Sequence, residues 1–143
     1  MGSVAWAPPA AAARIAVVDT VIASDAEERR AVLLAVVRLH HHKVVVDAGT
    51  PSALKRGIAA LPPEGTGLVA LVDVDLSAPE WGELLRDLCT KHPDTRLIVV
   101  TPSRSTDAER LSREVRATQL LRRPFSIPQL LEALEGPGPK APS

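Results

Sequence analysis

Aromatic side chains are almost missing from this chain: one Phe, two Trp and no Tyr make up 2% of its 143 residues. A site that must sandwich a flat conjugated ring has little to build its walls from. Cysteine occurs once, at Cys89, so no internal disulfide can form. Leu84, Leu85 and Leu88 around it suggest a half-buried thiol packed on a helix rather than a reactive one. Charge of one sign is not in excess either. Lys plus Arg total 17 and Asp plus Glu total 17, so no net field draws the chain to a nucleic-acid backbone or an anionic membrane. No apolar run approaches the roughly 20 residues that span a bilayer, and the start does not read as a charged segment followed by an apolar one. These absences lead to the expectation of a cytoplasmic protein with no nucleic-acid or membrane partner.

What the chain does have is a hydrophobic content of 45%, enough for one core, in a length too short for two ordinary domains. Its ends differ from its middle. Residues 1–13 are rich in Ala and Pro. Gly136-Pro137-Gly138-Pro139-Lys140-Ala141-Pro142-Ser143 mixes residues without a backbone donor and residues costly to order. Both stretches, 1–13 and 136–143, are expected to be disordered tails or linkers around a domain over 14–135.

The body alternates short aliphatic runs with amphipathic stretches. Arg14-Ile15-Ala16-Val17-Val18 reads as a first strand. The helix after it opens with Ser24 and Glu27 in capping-box spacing and puts Leu33, Val36 and Val37 on one face. Lys43-Val44-Val45-Val46 is a second strand, and Thr50-Pro51 supply the cap and first-turn proline of a helix carrying Leu54, Ile58 and Leu61. Leu68 to Val72 form a third strand ending in Asp73, before a helix with Trp81, Leu84, Leu85 and Leu88 at i, i+3, i+4 and i+7. Leu97-Ile98-Val99-Val100 end in Thr101. A polar helix follows, with Thr106 and Glu109 in capping spacing and a narrow stripe of Ala108, Leu111 and Val115. Leu120-Leu121 run into Arg122-Arg123-Pro124-Phe125, and Ser126 with Gln129 caps a last helix showing Ile127, Leu130, Leu131 and Leu134.

The strands are continuous apolar runs, as a parallel sheet covered on both faces requires. Five strand–helix units then predict an α/β three-layer sandwich with helices on both faces. With its last three strands side by side, the carboxylate of Asp73, the hydroxyl of Thr101 and the cation of Arg123 meet at one edge. That edge is where open α/β sheets place their ligands.

In order and spacing these pieces resemble the receiver domain of bacterial response regulators over residues 14–135. Leu71 to Leu85 looks like the family's phosphoacceptor strand, loop and third helix, with Asp73 as the accepting aspartate. Val99-Val100-Thr101 resembles the strand that ends in the signalling hydroxyl. Arg123-Pro124-Phe125 is similar to the family's Lys-Pro-Phe, and Arg14 to Asp19 to the first strand, which normally delivers two adjacent acids. The resemblance implies a flavodoxin-like, five-stranded parallel sheet in the order 2-1-3-4-5 and a non-enzymatic module of two-component phosphorelay signalling. It implies a phosphoacceptor at Asp73, a switch hydroxyl at Thr101, a phosphate-facing cation at Arg123, and Mg2+ held by Asp19, Asp73 and the backbone carbonyl of Asp75. In that chemistry a carboxylate attacks phosphorus in line while cations offset the charge on the phosphoryl oxygens. Partners would be a histidine kinase or another signalling protein, with a homodimer through residues 104–135.

Four departures weaken the pattern. Thr20 follows Asp19 where a second acid normally ligates the metal, so the Mg2+ site is expected to be weak. The planar fork of Arg123 does not reproduce an ammonium. Pro102 lacks the backbone N–H that helps hold the phosphoryl group, and Leu120 stands where a switch aromatic usually sits. Asp25 could fold back as the missing acid, and an alternative alignment puts the acidic pair at Ser24 and Asp25; Ile15 to Val18, as the better strand, favours Asp19. A degenerate receiver, keeping fold and contact surface without phosphorylation, therefore stands beside the phosphorylated one. The rival from another class is a small flavodoxin-like cofactor-binding protein, against which count the scarce aromatics and the poor phosphate cradle of Thr20-Val21-Ile22-Ala23-Ser24. His40-His41-His42 reads as a helix C-terminus rather than a metal site.

Overall fold

A computed structural model of the chain describes residues 17–62, 67–101 and 106–136, and of residues 106–108 the backbone alone. The expected tails lie outside these residues apart from Gly136, as do Arg14 to Ala16 and Pro102. Among the described residues are five strands, β1 (Asp19–Ser24), β2 (Lys43–Ala48), β3 (Leu68–Asp73), β4 (Arg96–Thr101) and β5 (Gln119–Arg122). They alternate with helices α1 (Glu27–Leu39), α2 (Pro51–Ala59), α3 (Pro79–Lys91), α4 (Thr106–Glu114) and α5 (Ile127–Glu135). Every strand pair is parallel and the order is β2-β1-β3-β4-β5, as expected.

β3 lies in the middle of the sheet and is buried along its whole length. Its side-chain alternation sorts the core into two layers. Leu68, Ala70 and Val72 join Leu54 and Ile58 of α2 and Trp81, Leu85 and Leu88 of α3. Val69 and Leu71 join Leu33 and Val37 of α1 and Leu130 and Leu134 of α5. By the same alternation Asp73 belongs to the α1–α5 side.

The first strand is not where the sequence pattern put it. Val17 is 62% exposed, whereas Val21, Ile22 and Ala23 are fully buried in β1. Thr20 is fully buried too, and its hydroxyl donates to the Val18 carbonyl at 3.2 Å, so a polar residue sits inside the sheet with its bond made. The Ser24–Glu27 capping box consequently does not form. Ser24 ends the strand, Ala26 caps α1 without a side-chain bond, and the first-turn acids Glu27 and Glu28 complement the positive helix end. The other two caps that can be seen are as expected: Thr50 accepts from the Ala53 N–H, and Ser126 and Gln129 form a reciprocal box. The Thr106–Glu109 pairing rests on a side chain outside the described residues.

Gly57 marks a close approach of α2 to the sheet: a Cβ there would lie 2.4 Å from Val46 Cγ1 and 3.0 Å from Cγ2. Alanine would gain about 1 kcal/mol of helix propensity, but overpacking costs about 1–3 kcal/mol. Val46 is β-branched and stiff, so it yields little. Gly57→Ala is therefore expected to lower stability by about 1 kcal/mol net, seen as a lower urea midpoint at unchanged slope.

The N-terminal edge of the sheet is tied to α5 by two contacts that periodicity does not reveal. His42 Nδ1 accepts the Val18 N–H at 3.1 Å, which leaves Nε2 as donor to Glu135 Oε2 at 3.0 Å. The Arg96 guanidinium donates to the carbonyls of Ala133 (2.9 Å) and Leu134, capping the end of α5. His40 caps the end of α1 and His41, at φ 65°, turns the chain toward β2, so the three histidines do serve a helix end. Among the described residues, no helix is long and apolar enough to cross a membrane.

Candidate functional site

Parallel pairing brings the C-terminal ends of the strands to one edge. Ser24 is level with Asp73; Val72 pairs with Val99, which puts Asp73 beside Val100 and Thr101 one residue beyond. Thr101 pairs with Arg122, and its carbonyl accepts the Arg123 N–H at 2.8 Å. The chain then turns through a cis Arg123–Pro124 bond, and Arg123 Nη1 donates to Asp73 Oδ1 at 2.7 Å. The other carboxylate oxygen is taken as well. Arg29, in the first turn of α1, donates from Nε to Asp73 Oδ2 at 2.8 Å.

The Asp73 side chain is 7% exposed, against 29% for Arg123 and 44% for Arg29. A carboxylate so far out of water is costly unless its oxygens are bonded, and two charge-assisted bonds meet that cost. Arg29 also reaches Asp25 Oδ1 at 3.5 Å, and Asp25 Oδ2 accepts the Asp75 N–H at 3.4 Å. Two carboxylates and two guanidiniums thus form one connected network.

Of the expected site residues, Asp73, Thr101 and Arg123 share this edge. Asp19 does not. It begins β1, level with Leu68, at the opposite end of the sheet. Five residues at about 3.3 Å each put it roughly 17 Å away along the strand. The register supports the alternative alignment, with Ser24 and Asp25 at the place of the acidic pair. Ser24 is buried and donates to the Ala26 carbonyl at 3.2 Å.

Asp75 does not complete a metal site either. Its carbonyl accepts the Ala78 N–H at 3.0 Å, and its carboxylate takes the Ser77 hydroxyl and, at 2.9 Å, the Ser77 N–H. Those donors, the hydroxyl foremost, hold the Asp75 carboxyl below its usual value. The Mg2+ that the resemblance implies therefore does not fit these residues: Asp19 is remote and both Asp73 oxygens are engaged. Among the described residues no group of three or more His, Cys, Asp or Glu could hold a metal ion.

Arg29 escaped sequence reasoning, although its i,i+4 spacing from Asp25 was a readable signal. Leu120, half-buried and level with Val99, packs into the α2–α3 layer. Cys89 is half-buried on α3, and burial pushes its thiol up against the smaller opposing pull of Arg116, which disfavours the thiolate.

No protein-family model matches the chain, and no curated protein matches it in sequence. Solved structures do match its fold. The chemotaxis protein CheY4 of Vibrio cholerae aligns with a TM-score of 0.65 at 18% identity, covering 84% of this chain and 98% of that one. A LuxR-family DNA-binding response regulator from Staphylococcus aureus gives 0.66 at 18% identity, covering 84% and 100%. A Burkholderia pseudomallei response regulator, with a phosphorylated aspartic acid, calcium ion and citrate, gives 0.61 at 21% identity, covering 82% and 66%. The chain has the receiver-domain fold. Receiver folds of this kind are the flavodoxin-like, 2-1-3-4-5 sandwiches that the sequence led us to expect. At these identities the likeness carries the fold and not the chemistry. The expectation of no nucleic-acid partner finds no support here, since the Staphylococcus aureus protein is DNA-binding.

Proposed function

We propose that the chain is a degenerate receiver, a non-enzymatic signalling module that works through protein contacts with Asp73 as the hub of an ion-pair network. What supports this is the double clamp on Asp73. To attack phosphorus in line, one carboxylate oxygen must offer a lone pair to the donor while a hard cation offsets charge on the moving oxygens. Here each oxygen already accepts a guanidinium N–H, and a guanidinium rather than a hard cation faces the carboxylates. A phosphoryl group carrying roughly −1.5 to −2 charges would replace the single charge of the Asp73 carboxylate, in a network whose carboxylates and guanidiniums already balance.

The partner in this reading is a histidine kinase or another cytoplasmic signalling protein. The face over residues 104–135 is the place for it or for a second copy, and there an Arg122–Glu109 ion pair ties β5 to α4. The competing reading, phosphate accepted at Asp73, is favoured by the meeting of Asp73, Thr101 and Arg123 at one edge. Incubation with Mg2+ and acetyl phosphate, followed by intact-mass measurement, decides between them. The expected spectrum shows the unmodified chain. Stoichiometric addition of one phosphoryl group, abolished by Asp73→Asn, would reject the degenerate reading.

A further inference from the structure

We infer that Arg29 is this chain's own occupant of the place a divalent cation would take, and that its side chain is what makes the site indifferent to Mg2+. This deepens the degenerate-receiver reading, on which it rests. Asp25, just past β1, and Asp73, at the end of β3, bring two carboxylates to one sheet edge, where their repulsion calls for a positive charge between them. Arg29 supplies it, with Nε on Asp73 Oδ2 at 2.8 Å and Nη2 on Asp25 Oδ1 at 3.5 Å.

The helix dipole does not explain a cation there. Arg29 lies in the first turn of α1, where the helix dipole favours negative charge. The two carboxylates do explain it. Mg2+ sheds water reluctantly and typically binds through one or two carboxylates while keeping several waters. The oxygens that Arg29 covers are one from each of two carboxylates. Arg123 holds the other Asp73 oxygen, Oδ1, and leaves that position open. A tethered guanidinium is always present at the site, so a free ion must displace it to enter.

Mn2+ titration, followed by water-proton relaxation and by calorimetry, tests this on the full chain. The wild type is expected to show no saturable binding at millimolar Mn2+. Arg29→Ala and the closer isostere Arg29→Gln are each expected to gain one site, at least about tenfold tighter than any wild-type binding. Adding Asp25→Asn to Arg29→Ala should abolish the gain. Circular dichroism establishes that the variants are folded. Wild-type binding as tight as that of the variants would overturn the inference, as would folded Arg29→Ala and Arg29→Gln that gain nothing. Phosphorylation of the wild type would instead defeat the degenerate reading, whichever way the Mn2+ titration falls.

Discussion

Asp73→Asn is expected to destabilise the protein by about 1–3 kcal/mol, the range for losing hydrogen bonds to a charged partner. The sign carries the information. In an edge of clustered acids without an internal cation, removing one negative charge relieves repulsion and raises stability. Here the carboxylate is the acceptor of two guanidinium bonds, at 2.7 and 2.8 Å. An asparagine side chain keeps one acceptor oxygen and turns its NH2 toward the other guanidinium, donor against donor. The cost stays below the roughly 3–5 kcal/mol of a broken fully buried pair, because Arg29 and Arg123 are partly exposed and water can solvate them. Urea unfolding of wild type and variant, at matched salt, measures the difference from the midpoints if the slopes agree. A double-mutant cycle with Arg29→Gln then isolates the Arg29 share. A raised midpoint for Asp73→Asn would mean that the clamp does not hold in solution.

Most of the architecture was legible because unbroken strand runs alternate with helically spaced apolar residues. β3 and β4 are unbroken aliphatic runs, and α3 shows its buried Trp81, Leu85 and Leu88 at helical spacing. The ends of β3 and β5 were legible for another reason: Asp73 and Arg123 stand where local pattern and chain order agree. The start of the chain was not legible in the same way. Two aliphatic runs, Ile15 to Val18 and Val21 to Ala23, overlap in reach, and the polar Asp19-Thr20 between them looks like a strand end. Tertiary pairing decided otherwise, because a strand ending at Val18 would leave eight residues before α1, whereas β1 leaves only Asp25 and Ala26. Short connections of about 2–6 residues are the rule between a strand and its following helix. That shift of frame took Asp19 to the far end of the sheet, brought Asp25 to the near edge and hid Arg29, whose contacts with Asp25 and Asp73 show only in the fold. The contacts of His42 and Arg96 were hidden for a more general reason. They join residues 93 and 37 or 38 positions apart in the chain, beyond any local pattern.

Leu71→Ala is expected to cost about 3–4 kcal/mol, within the range for emptying a closed core site. Leu71 has no exposed surface and sits in the central strand. Its neighbours in register are Ile22 on β1 and Ile98 on β4, both fully buried in the same layer, so three large side chains form one row across the sheet. Strand pairing holds that row from both sides and α1 and α5 close it from above, which leaves little freedom to collapse into the void. Leu39→Ala, at a residue 70% exposed at the end of α1, serves as the matched control and should change stability by no more than about 0.5 kcal/mol. Against a typical total of about 5–15 kcal/mol, the Leu71 loss is large and readable as a midpoint shift at constant slope. It also reaches the candidate site. Leu71 and Asp73 are two residues apart on one face of β3, so any backbone relaxation into the cavity moves the carboxylate against Arg29 and Arg123. Combining Leu71→Ala with Asp73→Asn should therefore give less than the sum of the two losses, since a clamp already loosened has less left to lose.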